Sequence, residues 1–304
     1  MLETIQTDDW LSRCAEDERI PLYMSQRGED RILQKLFEII GTRSKWCVEF
    51  GATDGKHRSN TWFWINKQGW SSVQIEAARD HHLNLRTPTQ ESFDALQKRY
   101  KDNKKVFTLN RWVGADKESS LDSILATTPI PSEFDLLSLD VDGAEYDIWN
   151  SLQKYKPRVL IVEHNKTIPI EVTFHSDRGS NLRALAELGK SKGYELVAAN
   201  DLNGIFVRQE DFFKLNIKNN SPEKLWAGHE KYRMYLTEEG NTDMNFHGDN
   251  RVRWVRGNDG TLGGEIRAGH YVVIKPTQNT VPAIKLSKPQ RYISGYIRHW
   301  LYSL

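Results

Sequence analysis

Short apolar runs along this chain alternate with segments whose apolar residues recur every three or four positions. Five runs read as buried strands, near residues 46–51, 71–76, 105–109, 134–140 and 158–163. Helical spacing falls near 59–68, 90–101, 119–127, 144–153 and 178–192. An earlier helix is predicted over Ile32–Ile40, stopped by Gly41 and Thr42, and a first helical stretch around Asp8–Ala15. Repeated strand–helix alternation predicts a parallel sheet covered on both faces. Two further runs, Tyr194–Ala199 and Gly204–Arg208, are separated by Asn200-Asp201-Leu202-Asn203. A connection that short makes the pair antiparallel. The expectation is therefore a doubly wound α/β fold, with a mostly parallel seven-stranded sheet and a terminal antiparallel strand.

The texture changes beyond Phe213. A mixed polar region covers Asn216–Asn250. Arg251–Arg256 and His270–Ile274 then read as strands separated by a glycine-rich turn region. Near the end Tyr292, Ile293, Tyr296, Ile297, Trp300, Leu301 and Leu304 fall on one helical stripe. We expect a helical lead-in over 1–45, a ligand-binding core over 46–211, and a C-terminal α+β extension over 212–304 that serves acceptor binding or homodimerisation.

Composition narrows the class. With 304 residues the chain can bury a large core, and 27% charged residues is the composition of a soluble globular protein. No apolar run approaches the ~18–20 residues of a membrane span, and no signal pattern is read at Met1-Leu2-Glu3-Thr4. The two cysteines, Cys14 and Cys47, make no disulfide framework, and Cys47 lies within the first strand. A cytoplasmic location is the expectation. A net charge of +1 argues against a dedicated nucleic-acid binder. From Phe212 onward, 14 Lys and Arg stand against 8 Asp and Glu, a balance of +6 that leaves −5 for the rest. A basic extension beside an acidic core suits an anionic small-molecule or glycan acceptor.

The candidate chemistry sits at the ends of the predicted strands, where open parallel sheets bind ligands. Trp46-Cys47-Val48-Glu49-Phe50-Gly51-Ala52-Thr53-Asp54-Gly55 is an apolar run ending in an acid and then two spaced glycines. Such glycines let the backbone approach a ligand without a Cβ in the way. The pattern E-x-G-x-x-x-G, unlike the dinucleotide G-x-G-x-x-G, suits a nucleoside cofactor with no pyrophosphate to cradle. The second strand ends in Glu76, placed to accept both ribose hydroxyls of an adenosine. The fourth ends in Asp140-Val141-Asp142 and the fifth in Glu163-His164-Asn165. Asp140, Asp142, Glu163 and His164 could together hold Mg²⁺ or Mn²⁺, with Asp140, Glu163 and His164 as the catalytic set. Alternatively His164 acts alone as general base. The bland reading has Asp142 capping a helix and His164 buried as a structural residue.

Several pieces together resemble the FkbM-type family of S-adenosylmethionine-dependent methyltransferases. They are Ser25-Gln26-Arg27-Gly28-Glu29-Asp30, Val48–Gly55, Ser59-Asn60-Thr61, Gly69-Trp70 with Ile75-Glu76, Leu137–Tyr146 and Lys192–Val197. They run in order from residue 25 to about 208. The resemblance implies a class I methyltransferase sheet, S-adenosylmethionine as cofactor, and O-methylation of a sugar or natural product. The cofactor-binding set expected from this reading is Gln26, Glu49, Gly51, Ala52, Asp54, Gly55, Asn60, Thr61, Glu76, Ala77, Trp112 and Asp140. The chain departs from the usual methyltransferase loop at Thr53, where a middle glycine is common. Two other readings compete. Asp140-Val141-Asp142 is a D-x-D triplet of the kind that holds a metal and a nucleotide diphosphate in some glycosyltransferases. A non-catalytic carbohydrate- or partner-binding protein on a methyltransferase-like core is the other.

Overall fold

The computed structural model describes residues 7–77, 90–141, 143–166, 170, 173–176 and 179–226, and five strands between 234 and 274. The main sheet contains β1 (Trp46–Phe50), β2 (Ser71–Glu76), β3 (Val106–Asn110), β4 (Glu133–Leu139), β5 (Lys156–Glu163), β8 (Tyr194–Ala199) and β9 (Asn203–Arg208). Between β5 and β8 lies a small antiparallel hairpin, β6 (His175–Ser176) with β7 (Gly179–Ser180). The order across the sheet is β3-β2-β1-β4-β5-β9-β8. β1 to β5 run parallel, and β9 is antiparallel to both β5 and β8. This is the class I methyltransferase sheet, with the reversed hairpin where it was expected. Asn200 closes that hairpin: its Oδ1 accepts the Leu202 and Asn203 N–H groups at 2.9 and 2.8 Å.

The helices are α1 (Trp10–Arg13), α2 (Glu29–Ile40), α3 (Trp62–Asn66), α4 (Gln90–Tyr100), α5 (Leu121–Leu125), α6 (Glu145–Ser151), α7 (Leu182–Ser191), α8 (Gln209–Phe212) and α9 (Pro222–Leu225). α3 and α7 begin three and four residues later than their periodicity suggests, for local reasons. Ser59, Asn60 and Thr61 give their hydrogen bonds to Glu49, so α3 begins only at Trp62. Gly179 and Ser180 pair with β6, so α7 begins at Leu182, capped by the Asn181 side chain accepting from the Ala184 N–H at 3.0 Å.

The core is continuous from Leu11 to Trp226. Leu11 and Cys14 belong to it, as do Leu215, Ile217, Leu225 and Trp226, and Ser12 Oγ–H of α1 donates to the Leu225 carbonyl of α9 at 2.7 Å. Packing thus reaches some fifteen residues past the boundary placed at 211, and it also takes in the lead-in. The amino ends of the strands are pinned by Arg158, 1% exposed, whose guanidinium meets Asp135 and Asp211, both at 2.8 Å, and the carbonyls of Ile40 and Gly41. Among the described residues no helix is long and apolar enough to cross a membrane.

Beyond the core, β10 (Met234–Leu236) and β11 (Thr242–Met244) pair antiparallel, and β12 (Val252–Arg256), β13 (Leu262–Ile266) and β14 (His270–Ile274) form a meander. β12 and β14 are the two expected strands. β13 was read as turn because Gly263 and Gly264 look like punctuation, yet they sit opposite Val255 and Trp254 on one side and Val273 and Val272 on the other. The apolar stripe over 292–304 lies outside the described residues.

Candidate functional site

The loop after β1 is built tightly against β4. Gly51 has φ 70°, and a Cβ there would lie 2.2 Å from the Asp140 carbonyl oxygen, so only glycine fits. Thr53 occupies the position of the missing middle glycine and takes φ 46°. A β-branched residue with positive φ is strained. It is held there because its N–H donates to Glu76 Oε2 at 2.7 Å. The Ala52 N–H donates to the Ile75 carbonyl at 3.1 Å, and Gly55 N–H to the Ala52 carbonyl at 2.7 Å. Asp54 Oδ1 accepts from the Lys56 and His57 N–H groups, and its Oδ2 meets Arg99 of α4 at 3.1 Å. Most of the expected loop residues therefore hold the loop in shape.

Glu49 faces inward, 4% exposed. It accepts Ser59 Oγ–H at 2.5 Å, Thr61 Oγ1–H at 2.7 Å and the Asn60 N–H at 2.7 Å. Burial pushes its carboxyl up to about 7 against these three bonds, and the neighbouring Asp140 charge adds to the rise. The Asn60 amide donates to Ser138 Oγ at 3.0 Å, while its buried Oδ1 has no hydrogen-bond partner among the described residues. Glu76 is fully buried at the end of β2, and Ala77 follows it, half-buried. Trp112, just past the end of β3, is 55% exposed, an unusual place for a large aromatic. Gln26 is exposed in the loop before α2.

At the ends of β4 and β5 the structure brings together Asp140, Glu145 and Glu163, whose carboxylate oxygens lie within 4.8 Å of one another. Asp140 is exposed, Glu163 half-buried and Glu145 buried. Glu145 Oε1 accepts the Val141 and Gly143 N–H groups, both at 2.9 Å, and so shapes the turn that carries Asp140. Burial pushes the Glu145 carboxyl up to about 7, the Gly143 and Val141 N–H groups pull it down, and the Asp140 charge pushes with burial. Sequence reasoning missed Glu145 as a site residue. The signal was present: an acid five residues after Asp140, in the first turn of the predicted helix. Asp142 lies outside the described residues.

His164 does not join this cluster. It is 4% exposed, its Nε2 lies 2.9 Å from the Asn200 carbonyl, and its ring sits edge-on to Trp226. Burial takes the imidazole down to about 4 against the hydrogen bond to Asn200. The His164 backbone N–H donates to the Leu202 carbonyl at 2.8 Å. These two bonds clamp the β8–β9 turn to the end of β5. The same turn is held from the other side by buried Glu29, which accepts the Asn200 and Asn203 amides, both at 2.8 Å. A different histidine, His175 of β6, stacks on Tyr146 of α6 with ring centroids 3.8 Å apart and planes 6° from parallel.

Residues 116–196 match the family model described as the methyltransferase FkbM domain. The match bears out the resemblance and supports a methyltransferase; it includes Asp140, Glu145 and Glu163 and begins after the glycine loop and Glu76. No curated protein matches the chain. Among solved structures it is similar to the CurJ carbon methyltransferase, at 10% identity over 59% of this chain and 52% of that one, TM-score 0.38. It is also similar to the SAH-bound methyltransferase PaMTH1 of Podospora anserina, at 14% identity over 61% and 80%, TM-score 0.36. The citrinin polyketide synthase CMeT domain matches at 11% identity over 60% and 51%, TM-score 0.39. The chain thus spans about half the length of the first and third of these.

Proposed function

We propose that this chain transfers the methyl group of S-adenosylmethionine to the hydroxyl of a sugar or natural product. The observation that carries the reading is the β1 loop: Gly51 packs on the backbone of Asp140 with no room for a side chain, and the buried carboxylate of Glu76 holds Thr53 beside it. That loop joins the ends of β1, β2 and β4 into one floor for an adenosine. In this reading Glu76 and Ala77 define the ribose side, exposed Trp112 covers the adenine, and Gly51, Ala52, Asp54, Gly55 and Asn60 line the methionine side. Glu49 and Thr61 support the loop from beneath, and Gln26 lies at the rim.

The acids at the ends of β4 and β5 face the sulfonium. Their charge favours the cationic cofactor over its neutral thioether product, a binding preference that does not by itself speed transfer. Asp140, Glu145 and Glu163 offer hard oxygen ligands at metal-site spacing, which fits Mg²⁺ or Mn²⁺. A divalent ion held there would bind the acceptor hydroxyl and ease its deprotonation. The extension over 212–304 is proposed to meet an anionic acceptor or a second copy of the chain. The buried free cysteines Cys14 and Cys47 suit a reducing, cytoplasmic setting.

The test is transfer of labelled methyl from S-adenosylmethionine to a panel of sugars, nucleotide sugars and hydroxylated natural products, with and without EDTA. Label in an ether linkage, lost with EDTA and restored by Mn²⁺, is the expected result. Label only on carbon or nitrogen of these acceptors contradicts O-methylation. Transfer indifferent to EDTA removes the metal and leaves the methyltransferase reading standing.

A further inference from the structure

The acceptor's proton needs a destination, and His164 is poorly placed to take it. Its Nε2 faces the Asn200 carbonyl, so that nitrogen carries a proton, and the remaining Nδ1 is buried in a side chain only 4% exposed, with Trp226 edge-on to the ring. His57 sits exposed in the β1 loop, its Nδ1 2.8 Å from Asp54. His175 is placed differently. The β6–β7 hairpin that carries it is held between the two elements that supply Glu145 and Glu163. On one side His175 stacks face to face on Tyr146, the residue after Glu145. On the other, the Asn165 N–H, two residues past Glu163, donates to the Ser180 carbonyl at 2.7 Å, and Gly179 lies against the Asn165 side chain.

Ser180 is the direct partner of His175 across the hairpin, so the two side chains share a face. The Ser180 hydroxyl is buried and has no hydrogen-bond partner among the described residues. An unspent buried hydroxyl is uncommon and suits a polar ligand group. The Tyr146 ring fixes the plane of the imidazole, and His175 is half-buried, so it is both oriented and within reach of solvent.

We propose that His175, oriented by Tyr146, is the general base on the acceptor side of the site, with Ser180 helping to hold the acceptor hydroxyl. This rests on the methyltransferase reading above. In the step, the acceptor oxygen forms a bond to the S-methyl carbon. The carbon–sulfur bond breaks, and its electron pair stays on sulfur as the neutral thioether S-adenosylhomocysteine. The hydroxyl proton passes to the free imidazole nitrogen of His175 and then to water.

The experiment needs no known acceptor. An adenosine analogue bearing an aziridinium in place of the sulfonium delivers an electrophilic carbon near where the methyl sits. Without acceptor it alkylates the nearest nucleophile, opening its own ring. Peptide mapping should find the adduct on His175, suppressed by excess S-adenosylhomocysteine. Tyr146→Ala should slow labelling severalfold, and His175→Gln should abolish it while calorimetry shows S-adenosylmethionine still binding. Where an acceptor is found, His175→Gln should lose roughly 100-fold in O-methylation, the scale of a general base. An adduct confined to Asp140, Glu163 or any other residue, or His175 labelling unaffected by S-adenosylhomocysteine, overturns the proposal. Failure of the wild-type protein to bind S-adenosylmethionine at all is a different result: it removes the methyltransferase reading and this inference with it.

Discussion

Thr53 stays in a left-handed conformation because the buried Glu76 carboxylate holds its N–H. The strain is roughly 1–2 kcal/mol. Thr53→Gly should therefore keep or raise the melting temperature. Thr53→Pro, which fixes φ near −65° and removes the N–H, should lower it by several degrees; the reverse ranking by calorimetric melting would contradict this account of the loop. Glu49 and Glu145 carry a second residue-level consequence. Both are acids raised to about 7 in the folded state by burial, so the native protein binds more protons than the unfolded chain between about pH 4.5 and 7. Their contribution favours folding below that window and is lost as pH rises through it, by up to about 1.4 kcal/mol per pH unit for each group. Urea midpoints measured from pH 5 to 8 should fall less steeply in Glu49→Gln than in wild type, and equal slopes would show that Glu49 does not titrate there.

At the scale of elements, the two ends of the sheet are fixed by different means. Arg158 ties α2, β4, β5 and α8 together at the amino ends through a buried ion triad. Removing one member leaves uncompensated buried charge, so Arg158→Ala should cost about 3–5 kcal/mol in urea unfolding. A loss under 1 kcal/mol would mean that the triad does not hold these elements. At the carboxyl ends the β1 loop depends on Gly51: Gly51→Val should displace the turn from Asp140 and abolish cofactor binding even where the protein remains folded by circular dichroism. The strands, their order and the reversed hairpin were legible because apolar runs and a four-residue connector leave little choice of topology. Site acids were legible in part, since strand ends reveal position and not direction. Glu163 and His164 are neighbours, yet one meets Asp140 and Glu145 while the other turns to Asn200. Glu145, and the role proposed for His175, were not legible because each depends on a partner distant in sequence or in another element. β13 was missed because its glycines erase the apolar pattern.

At the scale of the molecule, the proposed adenosine floor at β1 and β2 lies beside an acidic cluster at β4 and β5, in one continuous core that runs from Leu11 to Trp226. Residues beyond that core should be separable from it. Deleting 288–304 should impair acceptor turnover or self-association while leaving cofactor affinity within a few fold. Unchanged turnover and unchanged mass in solution would remove the proposed role of that segment. The competing D-x-D reading concerns the whole protein as well, because it exchanges one donor for another. The most direct measurement is calorimetric titration of the full chain with S-adenosylmethionine and, separately, with UDP-glucose in the presence of Mn²⁺. One equivalent of S-adenosylmethionine should bind, weakened by about 1–3 kcal/mol in Glu76→Ala, with no heat from UDP-glucose. Saturable binding of UDP-glucose and none of S-adenosylmethionine would contradict the account.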